Sequence, residues 1–175
     1  TRYWRVLAYN VCNTLTYSEK RRVSCFAPPA IGRLQLWLKA DTVIKSGSTV
    51  TTWPDCSGNG FNAVQSNAVN RPAYNASVPV LNNKPVLRFD GTNDYMISNL
   101  GQDLPQPNSI FVVMKFSSNA SNQYVYDGVL ATKRHRLHHS NTNIIWMRAG
   151  IASTGIPSAT IPLPSDYMIF SCLYN

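Results

Sequence analysis

Two turn motifs flanked by aromatic residues constrain the fold of this chain more than any other feature. Residues 53–60 read Trp-Pro-Asp-Cys-Ser-Gly-Asn-Gly, and residues 88–95 read Arg-Phe-Asp-Gly-Thr-Asn-Asp-Tyr. Asp and Asn side chains bond their own backbone in turns, and glycine readily adopts positive φ. Each motif therefore predicts a tight corner. The aromatic residues Trp53, Phe89 and Tyr95 are expected to bury the strands that meet there.

The segments around these corners have the composition of β-strands, and none has a sustained helical period. Leu34, Leu36 and Leu38 alternate with polar or aromatic residues, which predicts a half-buried strand. Residues 109–116 are nearly all apolar and predict a central strand covered on both faces. Further strands are predicted at 49–53, 86–89, 129–131, 144–148 and 167–174, with turns at 46–48 and 82–83.

These strands and corners predict a core between two packed sheets. Its expected members, all mostly buried, are Trp53, Phe89, Tyr95, Ile110, Val112 and Met114. Because Phe89 is expected to be a core aromatic, its truncation to alanine should cost about 3–5 kcal/mol.

The order of the motifs also resembles a known family. Together with Leu34–Asp41 upstream and Asn70–Tyr74 between the corners, it is similar to the laminin-G-like, concanavalin A-like jelly-roll family, especially the versions in bacterial surface proteins and bacteriophage virion proteins. The resemblance covers roughly residues 32–175. It implies an antiparallel jelly-roll β-sandwich over residues 31–175, usually a binding or structural module. The family normally continues beyond the position of Asn175 through a closing hairpin, so we expect an edge that needs covering.

Residues 1–30 lie outside this resemblance and are predicted to form a short β arm with a linker. Residues 2–9 alternate as a strand does, and two prolines favour an extended linker before residue 31. Cys12 and Cys25 are expected to form a disulfide, because a hairpin centred near Tyr17 to Lys20 would place them opposite each other. The pairing of Cys56 and Cys172 stays open, with buried free thiols as the alternative.

Composition and charge narrow the class of protein. A chain of 175 residues is long enough for one domain with a short appendage. Sixteen Lys and Arg against eight Asp and Glu give a formal charge of +8, which favours anionic partners or, alternatively, a solvated basic surface. The sequence contains no helix-turn-helix, RNP-like or zinc-finger pattern, so nucleic-acid binding is not favoured. No apolar run is long enough for a membrane span.

Catalysis is not predicted. Glycosidase chemistry needs two carboxylates at the scissile bond, and the only Glu, Glu19, lies outside the predicted sandwich. No strand carries two acids at alternate positions, although two Asp residues brought together by folding remain an alternative. The motifs of serine hydrolases, zinc proteases and nucleotide-binding loops are also missing.

Two groups of residues are candidate sites. Lys133, Arg134, Arg136 and His138 suit an anion or an acidic glycan, because arginine offers bidentate forks, whereas adjacent cations would repel a metal ion from the histidines. A solvated basic hairpin is the alternative.

Asp90 and Asp94 are the second candidate site. They could hold calcium at a loop, as some laminin-G-like relatives do, and a metal-free turn is the alternative. No other cofactor is expected.

The function predicted from these observations is a non-enzymatic structural or adhesive module of a virion or cell-surface assembly. Such a module would bind glycan or a neighbouring protein subunit and would work as an oligomer or as part of an assembly. Its expected location is the virion or the extracellular cell surface. The alternative is a carbohydrate-active enzyme or its sugar-binding accessory domain.

Overall fold

The computed structural model of the chain describes residues 32–117, 123–129, 135–139, 144–149, 156–160 and 166–174, and the short segments 2–4, 7–9, 15–17 and 21–23. For the four short segments, and for residues 138–139, 144, 148 and 156–160, the backbone alone is described. The fold is all-β, and its strands pair antiparallel. Helical structure in these residues is limited to three 3-10 helices, Ala40–Thr42, Ala68–Asn70 and Pro79–Leu81.

The described residues form sixteen strands, numbered in chain order. They are β1 (Arg2–Trp4), β2 (Leu7–Tyr9), β3 (Leu15–Tyr17), β4 (Arg21–Val23), β5 (Ile44–Ser46), β6 (Thr49–Trp53), β7 (Ala63–Val64), β8 (Ala73–Val78), β9 (Lys84–Arg88), β10 (Ile97–Ser98), β11 (Asn108–Met114), β12 (Gln123–Tyr126), β13 (His135–His139), β14 (Ile144–Ala149), β15 (Ile156–Thr160) and β16 (Met168–Tyr174).

The largest sheet contains the strands around the turn motifs. Its order is β10-β7-β6-β8-β9, and β5 also pairs with β6. Gly47, with φ 61°, turns the chain between β5 and β6. Asn82 and Asn83, with φ 54° and 58°, turn it between β8 and β9, and asparagine tolerates this left-handed region better than most residues. Both predicted turns, at 46–48 and 82–83, are confirmed.

The carboxylate of Asp55 holds the first corner together. Its Oδ1 accepts hydrogen bonds from the N–H groups of Trp37 at 3.0 Å and Ser57 at 2.8 Å. Its Oδ2 accepts from the N–H of Phe61 at 3.0 Å and from the Ser57 hydroxyl at 2.7 Å. Burial alone would raise the pKa of Asp55, but the hydrogen bonds from Trp37, Ser57 and Phe61 together outweigh burial and lower that pKa below its ordinary value.

The same corner determines the conformation of residues 34–38, which are not the strand that their alternation predicts. Leu38 alone among them pairs, through an isolated β-bridge to Asp55. All five residues are half-buried, whereas a half-buried strand would alternate between buried and exposed residues. The Asn59 side-chain nitrogen donates to the carbonyl groups of Leu34 at 2.8 Å and Gln35 at 2.9 Å. Corner side chains therefore bond carbonyl groups that a strand would offer to a ladder.

The N-terminal strands form nested pairs, β1 with β4 and β2 with β3. This register centres the hairpin between Tyr9 and Leu15, so the predicted centre near Tyr17 to Lys20 is wrong. Cys12 and Cys25 lie outside the described residues, as does the predicted proline linker. Their disulfide stays a prediction, without the hairpin register that suggested it.

The hydrophobic core lies between the two-stranded sheet β11-β16 and the four-stranded sheet β12-β13-β14-β15. Its buried members are Leu137, Ile145, Cys172 and Tyr174. Partly buried side chains pack against them: Ile110, Met114, Phe116, Val125, Tyr126, Met147, Ala149 and Phe170. Two antiparallel sheets thus share one core in this part of the chain. The jelly-roll order of strands is not confirmed.

Strand β11 has one covered face, which corrects the prediction that both of its faces are covered. Its residues alternate in burial. Ile110, Val112 and Met114 are half-buried on the core side, whereas Phe111 is 71% and Val113 is 60% exposed on the other. In the described residues β11 pairs with β16 alone.

The predicted core is correct for Ile110 and Met114 and wrong for the two corner aromatics Phe89 and Tyr95. Phe89 is 40% exposed and Tyr95 is 45% exposed, because both lie in the loop that follows β9 and not on a strand facing the core. Trp53 is half-buried at the end of β6, outside the core cluster. An aromatic beside a turn is therefore not by itself a core residue here.

We predict that truncations at Leu137 and Phe89 differ sharply in cost. Leu137→Ala should lower the free energy of unfolding by about 2–5 kcal/mol, because it leaves a cavity in the core. Phe89→Ala should cost about 1 kcal/mol or less, because the ring is already partly in water. Urea denaturation of both variants measures the difference. Equal losses at the two positions would contradict the location of the core.

A second prediction concerns Asp55. Asp55→Asn should lower the free energy of unfolding by about 1–3 kcal/mol at neutral pH. The amide nitrogen of asparagine would replace one carboxylate oxygen, and it cannot accept the hydrogen bonds that this oxygen accepts. The folded pKa of Asp55 is lowered, so its contribution is present above the ordinary value of 3.8 and is lost as pH falls through the folded value. The difference in free energy of unfolding between wild type and Asp55→Asn should therefore disappear in acid. Asp41→Asn, on the exposed Lys39–Asp41 pair, is the matched control.

Candidate ligand-binding face

The four-stranded sheet has an outer face opposite the core. Leu137 and Ile145 point into the core. Because side chains alternate across a strand, their neighbours Arg136 and Trp146 lie on the outer face, together with the exposed Tyr124 of β12. We call the surface of Tyr124, Arg136 and Trp146 the aromatic-basic face.

One row of paired positions crosses this face from strand to strand. Tyr124 pairs with His138, His138 with Trp146, and Trp146 with Pro157. Neighbouring strands are about 4.8 Å apart, so the backbones at Tyr124 and Trp146 are about 10 Å apart across the sheet. Tyr124 is 52% exposed, and Trp146 is half-buried. Two aromatic side chains therefore flank the central strand of the face.

The next row of paired positions is occupied by two arginines. Arg136 pairs with Arg148, and the guanidinium carbon of Arg136 lies 5.8 Å from the centroid of the Tyr124 ring, within cation–π range. Its Nε is buried and has no hydrogen-bond partner among the residues that the structure describes. Strands β12 to β15 contain no Asp or Glu, so no acid on the sheet neutralises this charge.

Hydrogen bonds behind the sheet fix the strand that carries Arg136. The Tyr174 hydroxyl of β16 donates to the carbonyl oxygen of Arg136 at 3.1 Å and lies 2.9 Å from the Tyr126 hydroxyl. A hydroxyl has one proton, so Tyr126 is the donor to Tyr174. Burial raises the pKa of Tyr126 strongly and that of Tyr174 to about 12. Both phenols are therefore neutral and hold the strand by ordinary hydrogen bonds.

His135 lies on the core side of β13 and adds no charge to the face. Its ring centroid is 4.3 Å from that of Tyr174, and burial lowers the pKa of His135. Among the described side chains, no group of three His, Cys, Asp or Glu is placed to hold a metal ion.

The structure brings together part of the anion site predicted from the sequence. Arg136 lies on the face, and His138 occupies a central register position on it. Lys133 and Arg134 lie outside the described residues. The sequence reasoning missed three further positions of the face: Tyr124, Trp146 and Arg148. Trp146 and Arg148 are two residues apart in the predicted strand 144–148, so their spacing alone indicates that they share one face of that strand.

The second corner bonds its own backbone. The Asp90 Oδ1 accepts from the N–H groups of Thr92 at 2.8 Å, Asn93 at 3.1 Å and Asp94 at 3.2 Å, and the Asp94 Oδ2 accepts from the N–H of Asp90 at 2.9 Å. Bonds from Thr92 and Asn93 lower the pKa of Asp90, whereas burial raises that of Asp94. These bonds account for the turn. Asp90 and Asp94 are the residues that would hold calcium, which stays a prediction.

Both described cysteines are free thiols. Cys172 is buried in the core, and Cys56 is half-buried near the Thr42 hydroxyl, with 3.7 Å between the sulfur and oxygen atoms. Free thiols are the alternative that the sequence left open.

No family model, curated protein or solved structure matches the chain. The resemblance to laminin-G-like jelly rolls therefore stays a hypothesis. No helix among the described ranges combines the length and apolar composition needed to cross a membrane. Function is accordingly inferred from the geometry of the aromatic-basic face.

We predict that the tyrosine pair makes stability depend on alkaline pH. The folded pKa of Tyr174 is about 12 against an ordinary value of 10.0, so its contribution is complete below pH 10 and is lost as pH rises through 12. Tyr174→Phe should cost about 1–3 kcal/mol at neutral pH, because it leaves the Arg136 carbonyl and the Tyr126 hydroxyl without this partner.

Denaturation at several pH values, with tyrosinate absorbance, tests this expectation. Tyr95→Phe, at an exposed ring, should keep the wild-type stability and pH profile. A Tyr174 hydroxyl that ionises near pH 10 would contradict it.

Proposed function

We propose that this chain is a non-enzymatic binding module that holds an anionic glycan on the aromatic-basic face. The observation that carries the proposal is a guanidinium and two aromatic side chains on one face of a sheet that has no acid. The Arg136 side chain rests on the Tyr124 ring and not on a carboxylate. Its terminal nitrogens are therefore donors for an external acceptor.

The chemistry of the face suits an acidic sugar in two respects. Aromatic rings pack against the C–H side of a pyranose ring, and two rings on alternate strands match the length of a short oligosaccharide. Arginine forms bidentate, charge-assisted bonds to a carboxylate or sulfate group. The formal charge of +8 adds a long-range attraction for such a ligand.

An open face also suits a chain better than a small molecule. A cavity of about 280 Å³ lies on the other side of the sheet, where Leu137, Ile145 and Phe170 line it with apolar surface. A sugar would leave its hydroxyls unpaired there. The outer face keeps those hydroxyls in contact with water.

The setting that we propose is a virion or an extracellular cell surface. Its support is the resemblance to laminin-G-like modules of bacteriophage virion and bacterial surface proteins. In such a setting the chain acts as an adhesive subunit beside other virion or surface proteins. A sugar-binding accessory domain of a carbohydrate-active enzyme would use the same face in the same way.

Binding to defined oligosaccharides tests the proposal. We expect heparin-derived and polygalacturonate oligosaccharides to bind in isothermal titration, more weakly as salt rises, and neutral cello-oligosaccharides to bind at least tenfold more weakly. Arg136→Gln and Trp146→Ala should each lower the affinity about tenfold, which corresponds to 1.4 kcal/mol. Arg136→Lys should fall between wild type and Arg136→Gln, because it keeps the charge and loses the fork.

The matched control is Arg88→Gln, which removes an exposed charge from the six-stranded sheet. It should leave binding unchanged within about twofold, in contrast to the tenfold losses on the face. Equal losses from Arg88→Gln and Arg136→Gln would reduce the effect to net charge. Tighter binding of single-stranded DNA than of every glycan would replace the proposal with nucleic-acid recognition.

A further inference from the structure

The outer face of the two-stranded sheet β11-β16 is apolar and exposed. Four side chains form it, with exposed fractions of 71% for Phe111, 60% for Val113, 73% for Ile169 and 55% for Leu173. We call these four residues the apolar face. Their combined exposed area is on the order of 400 Å², a size at which patches on single chains are often functional.

The pairing register of this sheet places large residues beside small ones. Phe111 lies opposite Ser171, and Leu173 lies opposite Ser109. Val113 and Ile169 are opposite each other and of similar size. Side chains on the same face of directly paired residues are neighbours, so Phe111 and Leu173 each stand next to a shallow position.

We propose that the apolar face is the interface of a symmetric dimer of this chain. A two-fold axis that runs along the strands, midway between β11 and β16, lays each β11 over the partner's β16. This operation puts Phe111 over the partner's Ser171 and Leu173 over the partner's Ser109. It puts Val113 over the partner's Ile169. Phe111 and Leu173 of one copy thus meet the shallow positions of the other, as packed sheets require, and Val113 packs on the partner's Ile169.

The distribution of charge permits this contact although each copy carries a formal charge of +8. Strands β11 and β16 contain no charged residue, and Lys115 follows β11 with its Nζ 5.9 Å from the centroid of the Tyr167 ring. The same operation brings Lys115 near the partner's Tyr167, where a second cation–π contact forms. Arg136 and Arg148 belong to the sheet on the far side of the core.

The interface is small, so the dimer should be weak. Two apolar faces together bury about 800 Å², roughly half of a standard interface, for which we expect a Kd of tens of micromolar. This contact is independent of the glycan-binding proposal, because it uses the other sheet.

Sedimentation velocity over a wide range of protein concentration tests the proposal. Wild type should convert from monomer to dimer, and Phe111→Ser and Ser171→Phe should each raise the Kd at least tenfold. The first leaves two shallow positions facing each other, and the second makes two rings collide. The double exchange of Phe111→Ser with Ser171→Phe should return the Kd to within about threefold of wild type.

Val69→Ser is the matched control, because Val69 is as exposed as Phe111 and lies away from this sheet. It should dimerise as wild type does. Circular dichroism and urea denaturation confirm that each variant is folded, and the double exchange retains the composition of the wild-type face.

Three results would overturn the dimer. If the protein is a monomer at every concentration, a second copy does not cover the apolar face. Either another part of the chain, such as the N-terminal arm, covers it, or it stays exposed. A dimer unaffected by both single variants uses another surface. A double exchange as weak as the single ones rejects the two-fold register.

Discussion

The hydrogen bonds of one hydroxyl group, that of Tyr174, connect the two sheets of the core. Tyr174 lies near the end of β16 and is 3% exposed. Its hydroxyl meets Tyr126 of β12 and the carbonyl of Arg136 on β13, so one side chain of the two-stranded sheet fixes two strands of the four-stranded sheet. The backbone of Arg136 is thereby held from behind. The placement of its guanidinium on the outer face follows from a contact inside the core, as is expected of a preorganised site.

Each of the two sheets uses one face for the core, and the chemistry of its other face decides what it can contact. The outer face of β12-β13-β14-β15 is aromatic and cationic, which favours an anionic chain in water. The outer face of β11-β16 is apolar, which favours burial. Because the faces lie on opposite sides of one core, a ligand on the first does not compete with a partner on the second.

The sequence predicts the local structure better than the contacts between distant strands. The turn at Asn82 and Asn83 follows from their own backbone preferences. Residues 109–116 do not alternate between polar and apolar, so the sequence does not show which side of this strand is exposed. That depends on its pairing with β16. Residues 34–38 alternate as a strand does, but side chains of the corner bond their carbonyl groups. The position of Tyr124 depends on the pairing of the four-residue strand β12 with β13, which no local pattern predicts.

The geometry of the proposed dimer would determine how two aromatic-basic faces work together. Four sheet layers stack in that dimer, so the two faces lie on its opposite outer sides, roughly 30 Å apart at about 10 Å per layer. Charges this far apart are screened at physiological salt, so the cationic faces do not oppose association. They point in opposite directions, and a short oligosaccharide cannot contact both. The dimer would therefore connect two separate glycan chains, or two surfaces, and would not bind one chain at both faces.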